Sequence, residues 1–238
     1  KSFEENKSTF SIDVDNGSYT NFRRFINDNQ LPPKDAIRVE EWLNFFNYDL
    51  EYPESSDEHP LKITSEIAAC PWNEEDDLLM IKLQGKMPPP AANLPPSNLV
   101  FLLDVSGSMN DENKLPLLKK SFKLMVNRLN TKDKVSIVVY AGAAGVVLEP
   151  TSGTDKKAII AALNKLNAGG STAGGQGIEL AYKLAQKNFK KNGNNRVIMA
   201  TDGDFNVGAS SDKAMEKLIE EKRKSGVFLS VLGFGMGN

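Results

Sequence analysis

Five side chains in this 238-residue sequence have the types and spacing to hold a hard cation. Asp104, Ser106 and Ser108 alternate in LVFLLDVSGSM, the stretch from Leu99 to Met109. Thr172 stands among the five glycines of AGGSTAGGQG, and Asp202 stands in MATDGD. Together they offer two carboxylates and three hydroxyls, and no nitrogen or sulfur. Magnesium prefers an octahedral shell of oxygens and keeps several of its own waters, so this set suits it without histidine or cysteine.

Such residues need a fold that gathers them at one edge. NLVFLLD is a continuous apolar run that ends on Asp104, and RVIMATD is another that ends on Asp202. Between and after them, apolar strands alternate with one-faced helices. Leu115, Leu118, Phe122, Met125 and Leu129 mark one helix, and the strand DKVSIVVYA follows. GVVLE reads as a short strand, followed by a helix with Ile159, Ile160, Leu163 and Leu166. Ile178, Ala181, Tyr182, Ala185 and Phe189 mark the next, and Met215, Leu218 and Ile219 one more before the strand VFLSVLGF. Continuous apolar strands separated by amphipathic helices predict an α/β fold, a doubly wound and mostly parallel open sheet covered on both faces. Ligands of such sheets bind outside the carboxyl ends of the strands, where strand order reverses. Asp104 and Asp202 are predicted at that edge, with Ser106 and Ser108 in the loop after the first and Thr172 just ahead of a helix.

MPPPAANLPPSN, residues 87–98, holds five prolines in twelve positions and disfavours helix or central strand. The expected division is therefore residues 1–96, a smaller N-terminal α+β region, and residues 97–238, the α/β domain. In the first part Tyr19, Phe22 and Ile26, then Val39, Trp42, Leu43 and Phe46, predict two short amphipathic helices broken by Leu31-Pro-Pro. LKITSEIAAC and DLLMIKLQG, joined through PWNEED, predict a β-hairpin.

Composition narrows the function classes. With 29 basic and 31 acidic side chains the net charge is −2, and no global field favours nucleic acid or an anionic membrane. No apolar run is long enough to span a bilayer. An opening on Lys-Ser rather than Met reads as a chain whose start was cleaved or left out. The single cysteine, Cys70, excludes an internal disulfide and reads as a buried thiol.

At this point the sequence resembles the von Willebrand factor type A domains. Asp104-Val-Ser106-Gly-Ser108 matches their D-x-S-x-S motif, Thr172 their threonine and Asp202 their distal aspartate, over residues 97–238. The resemblance implies a Rossmann-like fold and a metal-ion-dependent adhesion site carrying Mg2+, or another divalent cation such as Mn2+ or Ca2+. It implies direct bonds from Ser106 and Ser108, a direct or water-mediated one from Thr172, and partly water-mediated ones from Asp104 and Asp202. The implied partner is a protein presenting Asp or Glu to the ion. STFSIDVDNGSYTNFRRFIN and IRVEEWLNFF resemble the N-terminal region of bacterial type A domain lipoproteins, which implies an extracytoplasmic place in the cell envelope and a lipid anchor upstream. A complete domain of this family continues past GFGMGN with a helix and a strand, so residues 227–234 are expected to form an edge that another segment or chain covers.

Rival readings are a structural scaffold with a non-essential metal site, and an enzyme. Ser106 as a nucleophile lacks a base, since the lone histidine, His59, stands far upstream in ESSDEHP. Asp104 as a magnesium-phosphatase nucleophile would need an acid at position 106, where serine stands. Asp13, Asp15 and Gly17 imitate a calcium loop, but Arg24 occupies the place of the bidentate glutamate, and a turn and cap is the better reading. The glycines of GGSTAGGQG lack the Lys-Ser/Thr of a P-loop, and GFGMGN lacks the third glycine of a dinucleotide site. Asp111, Glu112 and Asp204 predict an acidic rim that repels an acidic partner unless the ion is present.

Overall fold

The apolar strands and one-faced helices read from the sequence assemble into two separate compact units, residues 1–89 and 90–238. The computed structural model describes residues 7, 9, 14–54, 56–90, 93–141, 143–169, 174–203 and 212–235.

In the first unit, α1 (Gly17–Asn27) and α2 (Val39–Phe45) pack through aromatic rings. Trp42 meets Tyr19 edge-on at 5.1 Å and Phe22 at 4.8 Å, which binds two helices too short to persist alone. Asp15 does not hold the cap position of α1, and Asp13 lies outside the described residues. Asn16 holds the cap position without a side-chain bond, and the buried Glu41 of α2 accepts from Ser18 N at 2.8 Å instead. An acid brought in from another helix thus satisfies one of the free N–H groups and complements the positive end of the helix dipole. β1 (Leu61–Ala69) and β2 (Asp77–Gly85) form the expected antiparallel hairpin, with Cys70 buried just past β1 and His59 exposed just before it.

The second unit is a five-stranded sheet in the order β5-β4-β3-β6-β7, with β3 (Ser97–Asp104), β4 (Lys134–Ala141), β6 (Asn194–Thr201) and β7 (Phe228–Gly233) parallel. The short strand expected at GVVLE is β5 (Ala143–Ser152), a ten-residue strand antiparallel to β4. Hairpin pairing extends it, and its Pro150 is tolerated because β5 is an edge. β7 is the opposite edge, with Phe228 and Val231 exposed.

Alternate β3 residues face opposite ways and meet different helices. Leu99, Phe101 and Leu103 join the core of α3 (Leu115–Asn127) and α4 (Lys156–Asn164), where Phe101 and Phe122 lie 4.3 Å apart. Val100 and Leu102 join that of α5 (Gly174–Lys187), built on Ile178, Ala181 and Tyr182. Each buried Val, Leu, Ile or Phe among these contributes roughly 1.5–3 kcal/mol of burial. The remaining helix, α6 (Asp212–Arg223), leads into β7. Leu129, Leu166 and Phe189 lie past the ends of α3, α4 and α5 rather than on them. For α4 the stop has a visible cause: Lys119 Nζ donates to the carbonyls of Asn164 and Leu166 at 3.0 and 2.8 Å. Leu166 stays in the core as a loop residue.

From β3 the chain moves first to β4 on one side and later to β6 on the other. Strand order therefore reverses between β3 and β6, at the edge where Asp104 ends one strand and Thr201 the other.

Candidate metal centre

Asp104 is fully buried. Its Oδ1 accepts from Ser106 N at 2.9 Å, a tight side-chain turn that aims the loop back over the strand end. Its Oδ2 accepts the Thr201 hydroxyl at 3.3 Å from the neighbouring strand. Tyr140 is the β4 register partner of Asp104. Burial pushes its phenol far above the ordinary tyrosine range; a bond to the Thr201 hydroxyl pulls the other way, and the charge of Asp104 adds to the rise.

The loop after Asp104 is held by main chain as well. Val105 N donates to Tyr140 O at 3.2 Å, and Val105 O accepts from Gly169 N at 2.7 Å. Gly169 stands three residues before Thr172, which itself lies outside the described residues, as does Asp204. A 3-10 turn, Gly107–Asn110, follows, and its Met109 is fully buried in the α3 core. With Asp104 tied at one end and Met109 at the other, the hydroxyls of the buried Ser106 and the exposed Ser108 stand 3.1 Å apart.

Asp202, one residue past β6, keeps a side chain only 2% exposed. Lys114 Nζ donates to its Oδ2 at 2.9 Å and to Ser108 O at 3.0 Å, and lies 3.8 Å from Asp111 Oδ2. Through Lys114 the distal aspartate is joined to the serine loop. Asp104, Ser106, Ser108 and Asp202 thus lie at one sheet edge, as the sequence predicts.

Lys114, Thr201, Tyr140 and Met109 were not legible as site residues. Lys114 reads as an ordinary charge near a helix start and Thr201 as a β-branched strand residue. Only the coincidence of two strand ends makes them neighbours of the carboxylates. The expected acidic rim is corrected in part, because Lys114 sets a cation beside Asp111.

Among the described residues no three His, Cys, Asp or Glu side chains cluster. The donor set is instead two carboxylates with a close pair of neutral hydroxyls. That chemistry fits a hard divalent ion and excludes soft-metal coordination. His59 belongs to the first compact unit, which leaves Ser106 without a histidine base in its own unit.

Residues 98–238 match the family model of the von Willebrand factor type A domain. The chain belongs to that family. A second model, described as von Willebrand factor, matches residues 1–80. The uncharacterized protein YfbK of Escherichia coli K12 is 47% identical over 236 residues, which cover 97% of this chain and 41% of that protein. The uncharacterized protein sll0103 of Synechocystis is 31% identical over 140 residues, 59% of this chain and 32% of that protein. The chain therefore spans well under half the length of these relatives. Among solved structures, BatB from Bacteroides thetaiotaomicron is 25% identical, with a TM-score of 0.49, over 58% of this chain and 66% of that one. Type A domains are typically protein-interaction modules, and this one places residues 104–108 and Asp202 at the carboxyl edge of its sheet. Among the described residues no helix is long and apolar enough to cross a membrane.

Proposed function

We propose that this type A domain binds a partner protein through a divalent cation, magnesium first among the candidates, and performs no covalent chemistry. One observation carries the reading: the buried Asp104 fixes a loop whose Ser106 and Ser108 hydroxyls stand 3.1 Å apart at the reversal point of the sheet. Ser106, Ser108 and Thr172 would hold the ion, with Asp104 and Asp202 behind them. When bound, the ion supplies an electrophilic position that a partner's Asp or Glu can occupy.

The chain's own residues prepare that position. Asp104 spends its oxygens on Ser106 N and Thr201, so it orients the loop while contributing negative charge. Neutral hydroxyls in front leave the ion's charge incompletely compensated, which favours an incoming carboxylate. The same family resemblance supports a place in the cell envelope, which fractionation of the native cell tests.

Thermal unfolding in magnesium and in chelator tests the reading, with Asp104→Ala as the control. A magnesium-dependent rise in Tm that Asp104→Ala abolishes supports it, and equal curves across millimolar magnesium overturn it. The pairing of Lys114 with Asp202 favours a second reading, a scaffold whose metal site is non-essential, because the carboxylate is already matched by a cation. Partner capture that persists unchanged in chelator selects that reading.

A further inference from the structure

Lys114 brings a cation of the protein's own into the candidate site. Its ammonium lies 2.9 Å from Asp202 Oδ2, 3.0 Å from Ser108 O and 3.8 Å from Asp111 Oδ2. The side chains of Lys114 and Asp202 are only 18% and 2% exposed, so solvent and salt screen the pair weakly. The stem of the lysine is enclosed too. After β7 the chain passes so close that a Cβ at Gly235 would lie 2.9 Å from Lys114 Cε, and Gly235 adopts a positive φ of 87° that favours glycine. The lysine therefore sits in a fitted slot between the serine loop, the distal aspartate and the exit of β7.

We propose that Lys114 is a tethered internal cation that preforms the site without metal and competes with the divalent ion for Asp202, thereby setting metal affinity. This rests on the metal reading above. One ammonium bridges the serine loop and Asp202, so in the metal-free protein it keeps both halves of the site in register and limits the repulsion between Asp104 and Asp202. A divalent ion on the Ser106 and Ser108 hydroxyls would draw on that same carboxylate. Two cations about one weakly screened carboxylate repel, so the ion binds either against Lys114 or by displacing it. The site is then poised: stable when empty, and tuned to bind metal only when metal is abundant.

Isothermal titration with magnesium, paired with thermal unfolding in chelator, tests this on the wild-type chain, Lys114→Met and Lys114→Arg. Met keeps the stem under Gly235 without the charge, and Arg keeps the charge. Lys114→Met should bind magnesium about tenfold more tightly or better, as removal of a close like charge requires, and its Tm in chelator should fall. Lys114→Arg should stay near wild type in affinity. If Lys114→Met does not fold, Lys114→Gln, neutral but still a donor to Ser108 O, takes its place. Magnesium binding in wild type that the neutral variant leaves equal or weaker overturns the role of Lys114 alone. Binding by neither protein overturns the metal reading and the competition with it. Binding that appears only in the neutral variant shows Lys114 excluding the ion, and overturns the metal reading for the wild-type chain.

Discussion

Thr201 and Asp104, the last residues of neighbouring parallel strands, are joined by a hydroxyl-to-carboxylate hydrogen bond of 3.3 Å inside the protein. The threonine thereby fixes the buried acid from which the serine loop hangs. Thr201→Val keeps the shape and removes the donor. It should destabilise the chain by about 1–3 kcal/mol, the cost of leaving a buried carboxylate oxygen short of a partner. Urea unfolding measures this; a loss under about 0.5 kcal/mol would show that the bond does not hold Asp104 in place.

Met109 should matter to stability although it stands inside a polar motif. Its side chain is fully buried against the α3 core. Met109→Ala is expected to cost about 2–5 kcal/mol, as for other large-to-small core changes. Ser108→Ala, one residue earlier and exposed, should stay within about 0.5 kcal/mol in chelator. Equal losses for the two variants would contradict the division between anchor and ligand.

Magnesium should stabilise the wild type by about 2.7 kcal/mol at a hundred times its Kd. The gain should vanish in Asp104→Ala and shrink in Ser106→Ala, with calorimetry in magnesium and in chelator as the measurement. A gain of equal size in all three proteins would place the ion elsewhere.

Alkaline pH should weaken the fold. Burial raises the phenols of Tyr140 and Tyr182 above the ordinary value of 10.0. Above that value the unfolded chain releases the phenolic protons first and binds fewer protons than the native one, so stability is complete below about pH 10 and falls as pH rises beyond it. Tyr182→Phe should flatten the decline. It should also be neutral or stabilising near pH 7, because the Tyr182 hydroxyl is buried without a hydrogen-bond partner among the described residues. Denaturant midpoints at pH 7 and above pH 10 check both points, and an unchanged slope in Tyr182→Phe would count against its contribution.

Gly169 offers a test confined to the backbone. Nothing lies within 4 Å of a Cβ built there, so Gly169→Ala should be tolerated within about 0.5 kcal/mol. Gly169→Pro removes the N–H that donates to Val105 O and should loosen the link between the serine loop and the loop of Gly169. Hydrogen exchange at residues 105–110 should rise in the proline variant and not in the alanine one. Matching exchange in both would show that the link carries no strain between the loops.

Periodicity made the sheet legible, since buried parallel strands are continuous apolar runs and their helices repeat at three-to-four spacing. Asp104 and Asp202 stood out for the same reason, as charges that terminate such runs. The missing parts share a different cause. Lys114 acts across 88 positions on Asp202, and Glu41 caps α1 from 23 residues away, distances at which no local pattern is written. β5 outgrew its apolar core because pairing to β4 recruits flanking residues that have no strand signature of their own. The acidic rim was overstated because a lone lysine beside Asp111 carries no period.

The two main-chain bonds at Val105, to Tyr140 O and from Gly169 N, are indifferent to side-chain identity. A lineage can therefore exchange the oxygen donors at positions 106 and 108 while the loop that carries them keeps its path. Side-chain chemistry is free to drift on a frame that does not, and what this edge recognises can change without a new fold being invented.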